Sequence, residues 1–335
     1  MKILALVLAG GEGVRLYPLT AEHAKPAVAF VNGCRIVDFV LSNLVNSKIS
    51  AIYLLAQYKP QSLIEHIDTT WAHGFRGSGR IIKVVLPRSH AIWGQFKGTA
   101  DAVYQNLDLI EEHQPDLVAV FASDHVYRMD VRQMVDFHEA RGADVTMAAV
   151  PVPIENASSF GVIMSGREGR ICEFREKPAQ PAPMPADPGR ALASMGNYIF
   201  DPHVLVGLLE EAARYGRTDF GRHILPTLPG RFKVFSYDFT CNCVPGVRSH
   251  EEPAYWRDVG TLSALSDARN DVLGPEPRFN LWNPLWPIRG EEHAAPLTKL
   301  QEWGNQSQNI RPPGAASSVS KLVTVRHEER TLDAR

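Results

Sequence analysis

Cysteine is scarce, with four residues (Cys34, Cys172, Cys241 and Cys243) in a chain of 335. That excludes a disulfide-stapled scaffold and suits a reducing compartment. Cys241 and Cys243 could form half of a metal site. No second Cys or His pair stands at ligand spacing, however, and no His-Glu-x-x-His occurs, so free thiols are expected. A surplus of charge is also missing: 35 Lys and Arg stand against 37 Asp and Glu, a net charge of -2. Without a basic footprint, a nucleic-acid partner is not expected. Long apolar runs are absent too, and no stretch approaches the length that spans a bilayer. The N-terminal run Ile3 to Ala9 is followed at once by Glu12 and Arg15, with no cleavage site between. It reads as a buried strand rather than a signal peptide, and a cytoplasmic chain without membrane attachment is the expectation.

The length allows one large domain with an appendage, or two modest ones, and either could bury a full core. Short apolar runs bounded by turn residues recur at Ile3 to Ala9, Ala51 to Ala56, Ile81 to Leu86, Leu117 to Ala122 and Val145 to Val152. Such runs are typical of strands buried on both faces. Between them lie helical patterns such as Thr99 to His113, where Ala100, Val103, Leu107 and Ile110 share one face and Thr99 can act as N-cap. Alternating strand and helix predicts an α/β fold with a mostly parallel, Rossmann-like sheet flanked by helices. Beyond about residue 150, shorter strands are expected at Phe160 to Met164, Ile171 to Arg175, Ser194 to Phe200 and Phe232 to Phe239. They would complete the sheet and add a small β-rich flap. The five prolines between Pro178 and Arg190 impose an irregular loop. A catalytic domain is therefore expected over 1–275, followed by an irregular Pro-rich extension over 276–335. Little in that extension is periodic enough to pack, and residues after about 300 have the composition of a disordered tail.

The first strand runs directly into Gly10-Gly11-Glu12-Gly13-Val14-Arg15-Leu16, at the carboxyl end of a strand, where open α/β sheets bind ligands. Glycines there let backbone N–H groups approach phosphate oxygens. The Gly-x-x-x-x-Gly-Lys-Ser/Thr pattern is absent, and the dinucleotide pattern lacks its third glycine because position 16 is Leu. A structural tight turn is an equal reading of the loop alone. Arg15 and Lys25 lie within reach of it and could hold triphosphate oxygens, or could be ordinary solvated charges. Asp124 follows the strand ending at Ala122, a common placement for a Mg2+ ligand. Asp258 is either a second such ligand or an N-cap of a helix starting just after it. Glu176-Lys177 and Ser194 are equally open, between a functional role and an exposed ion pair and loop hydroxyl. Taken together, glycine loop, cations and carboxylates suit attack of a sugar phosphate on the α-phosphorus of a nucleoside triphosphate. The nucleophile is already an anion, so the barrier is mostly charge repulsion, and preorganised donors with Mg2+ counter it. No hydrolytic triad or covalent cysteine site is evident.

Eight motifs in order carry a resemblance over roughly residues 1 to 290. They are Leu8-Ala9-Gly10-Gly11-x-Gly13-x-Arg15-Leu16, Lys25-Pro26-Ala27-Val28, Asp38-Phe39-x-Leu41-Ser42-Asn43, Gly98-Thr99-Ala100-Asp101-Ala102-Val103, Asp124-His125-x-Tyr127, Glu176-Lys177-Pro178, Ala193-Ser194-Met195-Gly196 and Tyr255-Trp256-Arg257-Asp258-Val259-Gly260-Thr261. The chain resembles the bacterial glucose-1-phosphate adenylyltransferases. The resemblance implies a nucleotide-diphospho-sugar transferase fold and transfer of the adenylyl group of ATP to glucose 1-phosphate. ADP-glucose for glycogen and pyrophosphate would be the products, with Mg2+ as cofactor. It assigns Leu8, Gly10, Gly11, Gly13, Arg15, Gly98, Thr99 and Asp101 to the nucleotide, and Lys25 to the triphosphate. Asp124 and Asp258 would hold the metal, and Glu176, Lys177, Ser194, Tyr198 and Asp219 the sugar phosphate. Rival readings are a catalytically silent nucleotide-binding subunit, expected to have lost a metal acid or Lys177, and a transferase of other nucleotide specificity. Departures from the family pattern are Ser123 before the metal aspartate, His23 before Ala24-Lys25-Pro26-Ala27, Phe96, and Pro87 to His90 without paired glutamines. The family's hexapeptide-repeat β-helix, which supports its tetramer, is not found after Ile288-Arg289, so homo-oligomerisation stays open.

Overall fold

The computed structural model describes residues 1–72, 79–88 and 95–290, all within the compact unit Met1–Leu297. Eleven strands are formed there: β1 (Ile3–Ala9), β2 (Ala51–Ala56), β3 (Ile81–Val85), β4 (Leu117–Ala122), β5 (His125–Tyr127), β6 (Val145–Pro153), β7 (Gly161–Ser165), β8 (Ile171–Glu176), β9 (Arg190–Phe200), β10 (Val234–Asp238) and β11 (Trp256–Asp258). Nine belong to one sheet with the path β10-β6-β9-β4-β1-β2-β3, and β7 and β8 branch from it. β1 is parallel to both β2 and β4, β2 to β3, and β10 to β6. β9 runs antiparallel between β4 and β6. This is the mostly parallel α/β sheet expected from the alternating pattern. The β7–β8 hairpin supplies the flap, joined to β9 through Val162 and Ala193.

Continuous apolar strands are explained by burial on both faces. Along β1, Ala5, Val7 and Ala9 enter one core cluster with Val40, Leu44 and Phe121, while Leu4 and Leu6 enter another with Val103, Phe200 and Phe220. Alternation of side chains across a strand makes a single run serve two cores. A third cluster, containing Phe39, Val126, Tyr255 and Leu265, gathers on the smaller β5–β11 ribbon.

Three expectations are corrected. The segment Thr99 to His113 is two short helices, Thr99–Tyr104 and Asp108–His113, rather than one. Thr99 is not the N-cap: Gly98 holds that position without a side-chain bond, and the Thr218 carbonyl accepts from Ala100 N–H at 2.8 Å and Asp101 N–H at 3.1 Å instead. Nor does aperiodicity prevent packing after Gly274. Phe279, Leu281 and Ile288 are buried in the third cluster, and Trp286 donates from Nε1 to Asn43 Oδ1 at 3.3 Å. Loop segments without a period can still insert single large side chains, each removing much apolar area from water. The expectations for the stretch at Ser89 and His90 and for the tail after residue 290 lie outside the described residues.

Candidate active site

The carboxyl ends of β1, β2 and β4 open onto one cavity of about 530 Å³. The glycine turn after β1 forms its floor, with Gly10, Gly11 and Glu12 lining it. Gly13 has φ +70°, and a side chain there would meet Thr20 Cγ2 at 2.9 Å and Lys25 Cβ at 3.0 Å, so the loop folds back onto Lys25 only because position 13 is glycine. Thr20 Oγ1 donates to the Gly13 carbonyl at 2.9 Å, fixing that fold-back. Lys25 opens a short 3-10 turn with Pro26 in its first positions, and its stem is buried.

Lys25 Nζ reaches Asp124 Oδ2 at 2.7 Å and Asp258 Oδ1 at 3.9 Å. The two acids are far apart in sequence and meet because β5 and β11 pair antiparallel, with Asp258 opposite His125. Ligand atoms of Asp124, His125 and Asp258 lie within 4.8 Å of one another. Burial alone would raise the Asp124 carboxyl. The His125 and Lys25 charges and the Lys25 hydrogen bond outweigh it and hold the group well below the usual carboxylate range. The hard carboxylate oxygens of Asp124 and Asp258 fit a divalent cation. Among the described residues, buried His125 Nδ1 has no hydrogen-bond partner, and its ring lies against Trp256 at 4.9 Å. The N-cap reading of Asp258 is corrected: Thr261 caps the helix Leu262–Asp271, its Oγ1 accepting from Ala264 N–H at 3.2 Å.

On the opposite wall, β8 delivers Glu176 and the turn after it Lys177, with Nζ 3.9 Å from Glu176 Oε1. Burial raises the Glu176 carboxyl, opposed by the Lys177 ammonium and helped by the Asp219 carboxylate. Asp219 Oδ2 accepts from Thr99 Oγ1 at 3.0 Å while Oδ1 accepts from Arg222 N–H at 2.9 Å. Tyr198 lines the cavity, and burial keeps its phenol protonated far above its ordinary value. Ser194 sits behind it, 3.3 Å from the Tyr198 hydroxyl.

Leu8, Gly10, Gly11, Lys25, Gly98, Thr99, Asp124, Glu176, Lys177, Tyr198 and Asp219 therefore share one cavity, as the motifs implied. Arg15 stands at its edge: Arg15 Nη2 and Asp258 Oδ1 each lie 3.0 Å from where a Gly260 side chain would begin. Asp101 is not in the cavity. Its carboxylate accepts from Lys97 N–H and Gln105 Nε2, both at 2.8 Å, and it lines a separate depression with Tyr104 and Arg214. The reading also missed Gln57, which lines the cavity and accepts from Phe96 N–H at 2.7 Å. Its only signal was position, one residue beyond β2, beside β1. Two departures find places: Ser123 Oγ donates to the Leu8 carbonyl at 2.7 Å, tying β4 to β1, and His23 lines a separate depression with Arg35 and Arg269.

Residues 4–274 match the sequence family described as "Nucleotidyl transferase". A glucose-1-phosphate adenylyltransferase of Thermodesulfovibrio yellowstonii is 51% identical over 322 residues, 96% of this chain and 78% of that protein. One of Thermus thermophilus is 47% identical over 310 residues, 90% of this chain and 74% of that protein. One of Mycobacteroides abscessus is 46% identical over 325 residues, covering 95% and 78%. Similarity of this extent, over a cleft that joins the glycine loop to Asp124, Glu176 and Lys177, leaves one conclusion: the chain belongs to the nucleotidyl transferases, in the family of the glucose-1-phosphate adenylyltransferases.

Proposed function

We propose that the chain transfers the adenylyl group of ATP to glucose 1-phosphate, releasing pyrophosphate and ADP-glucose, with residues 1–275 as the catalytic domain working in the cytoplasm. The observation that carries this reading is one cavity lined at once by the glycine loop, Lys25 and Asp124 on one wall and by Glu176, Lys177, Tyr198 and Asp219 on the other. Backbone N–H groups of Gly10 to Gly13, with Lys25 and Arg15, hold the triphosphate. Lys177 holds the sugar phosphate, and Glu176 and Asp219 accept from sugar hydroxyls. A phosphate oxygen of glucose 1-phosphate then attacks the α-phosphorus while the bond to pyrophosphate breaks on the opposite side.

No strong base is needed, so the work of the protein is alignment and charge neutralisation. Asp124 and Asp258 would hold Mg2+, which would supply positive charge to offset that of the phosphates. Lys25 Nζ, beside both acids, would add its own positive charge against the phosphates. The silent-subunit reading has no support here, since Asp124, Asp258 and Lys177 are all retained. Pyrophosphate release from purified protein with Mg2+ and glucose 1-phosphate, comparing ATP with dTTP and UTP, tests the reading. Release with ATP is expected. Release with dTTP or UTP in its place would give the enzyme another nucleotide specificity, and silence with every nucleotide from folded protein would sink it.

A further inference from the structure

The wall bearing Asp219 is a short π-type turn, Phe220–Ile224, that is too short to hold itself in place. Its N-terminus is closed by a reciprocal pair. Asp219 Oδ1 accepts from Arg222 N–H at 2.9 Å, and His223 reaches back so that its Nδ1 accepts from both Thr218 N–H and Asp219 N–H at 3.1 Å. This is the logic of a capping box, with an imidazole nitrogen where a Glu or Gln oxygen normally stands. Two consecutive backbone donors aimed at one nitrogen require that nitrogen to be unprotonated, so the ring carries its proton on Nε2.

The turn so held touches both halves of the cleft. The Thr218 carbonyl caps the helix Thr99–Tyr104 through Ala100 and Asp101 N–H, and a side chain at Gly98 would strike that carbonyl at 2.5 Å. Thr99 Oγ1 donates to Asp219 Oδ2 and accepts from Phe220 N–H at 2.9 Å. Opposite, the Gly221 backbone lies so close to Glu176 that a side chain would come within 2.5 Å of Oε2.

We infer that His223 is a positioning residue for the sugar-phosphate half of the cleft. Its Nδ1 lone pair fixes the Thr218–Asp219 backbone, and through it the carboxylate of Asp219 and the seat of Glu176, without touching substrate. This rests on the adenylyltransferase reading, and the test separates the two: if wild-type protein makes no ADP-glucose the reading fails first, whatever His223 does.

His223→Leu keeps the bulk and removes the acceptor, whereas His223→Asn places an amide oxygen near the position of Nδ1. With wild-type turnover established, His223→Leu should raise the glucose 1-phosphate KM roughly tenfold, the scale of one unsatisfied donor pair, with the ATP KM within about twofold. His223→Asn should stay within about twofold of wild type for both substrates. An unchanged glucose 1-phosphate KM in His223→Leu, or equal damage in His223→Asn, would overturn the inference. Should His223→Leu fail to fold, imidazole 15N shifts of the wild-type protein decide instead: an unprotonated Nδ1 and a protonated Nε2 are required, and the opposite tautomer refutes the role.

Discussion

Asp124 concentrates the chemistry of this site in a single side chain. It lies 2.7 Å from Lys25 and within ligand distance of Asp258, and its neighbours keep it ionised. Replacing it by Asn removes one charge-stabilising group, typically about 3 kcal/mol, so kcat should fall roughly a hundredfold. Titration with Mn2+ should show weakened binding in parallel; retained rate and retained binding would take Asp124 out of the metal role. Lys177→Gln should act on glucose 1-phosphate KM far more than on kcat, and an unchanged KM would move that lysine off the sugar phosphate. His138 is a different case. It is buried against Thr146, with Nδ1 2.8 Å from Thr146 Oγ1, and burial lowers its affinity for a proton despite Asp201 and Asp144. The unfolded chain therefore takes up the proton first as pH falls. The stability from neutral His138 is fully present above the ordinary imidazole value and is lost as pH drops through it toward the lowered folded value. Melting temperatures measured between about pH 7 and pH 5 should fall more steeply in wild type than in His138→Asn, and parallel curves would refute this assignment.

At the scale of elements, the ribbon of β5 and β11 decides whether two distant acids form one site. Its six residues make few bonds of their own, and the hydrophobic cluster beneath, through Val126, Tyr255 and Val259, holds it in register. The sequence left Asp258 open between metal ligand and helix cap, and the two roles predict opposite phenotypes. Thr261→Ala should cost about 1 kcal/mol of stability in denaturant titrations while kcat is retained, because it removes the observed cap. Asp258→Asn should leave stability nearly unchanged and lose activity. A large stability loss in Asp258→Asn would return it to a structural role. Strand limits were readable to within a residue or two for β1, β2 and β4, whose apolar runs end in turn residues. The break between Thr99–Tyr104 and Asp108–His113 was not, because the apolar spacing continues across it and the helix is capped from Thr218, which no local pattern reveals.

For the whole molecule, one of the fastenings of the segment around 276–290 is a buried ion pair in the body that grips Asn280. Arg128 Nη1 donates to Glu251 Oε2 at 3.0 Å, Arg128 Nη2 donates to the Asn280 carbonyl, and the guanidinium lies 4.4 Å above Phe279. Asn280 N–H donates to the same Glu251 oxygen at 2.9 Å. Arg128 directly follows β5, so this pair links the aperiodic segment to the strand that begins just after Asp124 and pairs with the strand bearing Asp258. Glu251→Ala leaves a buried guanidinium uncompensated and should destabilise the fold by about 3–5 kcal/mol in chemical denaturation. A loss below about 1 kcal/mol would show that the remaining contacts of the segment hold it without the Arg128–Glu251 pair.

The sequence alone determined the α/β class, the strands of the central sheet and most of the residues that line the cleft. Apolar runs, glycines and family motifs are local signals, and the carboxyl end of a buried strand is where a parallel sheet exposes loops. Tertiary structure alone decided the rest. It brought Asp258 beside Asp124 through a ribbon of two three-residue strands, turned Asp101 away from the cavity, brought Gln57 into it and gave the cap of one helix to the carbonyl of Thr218, far away in sequence. Those outcomes depend on which chain segments pack together, and the free energy of such packing is spread over residues far apart in sequence, where no periodicity records it.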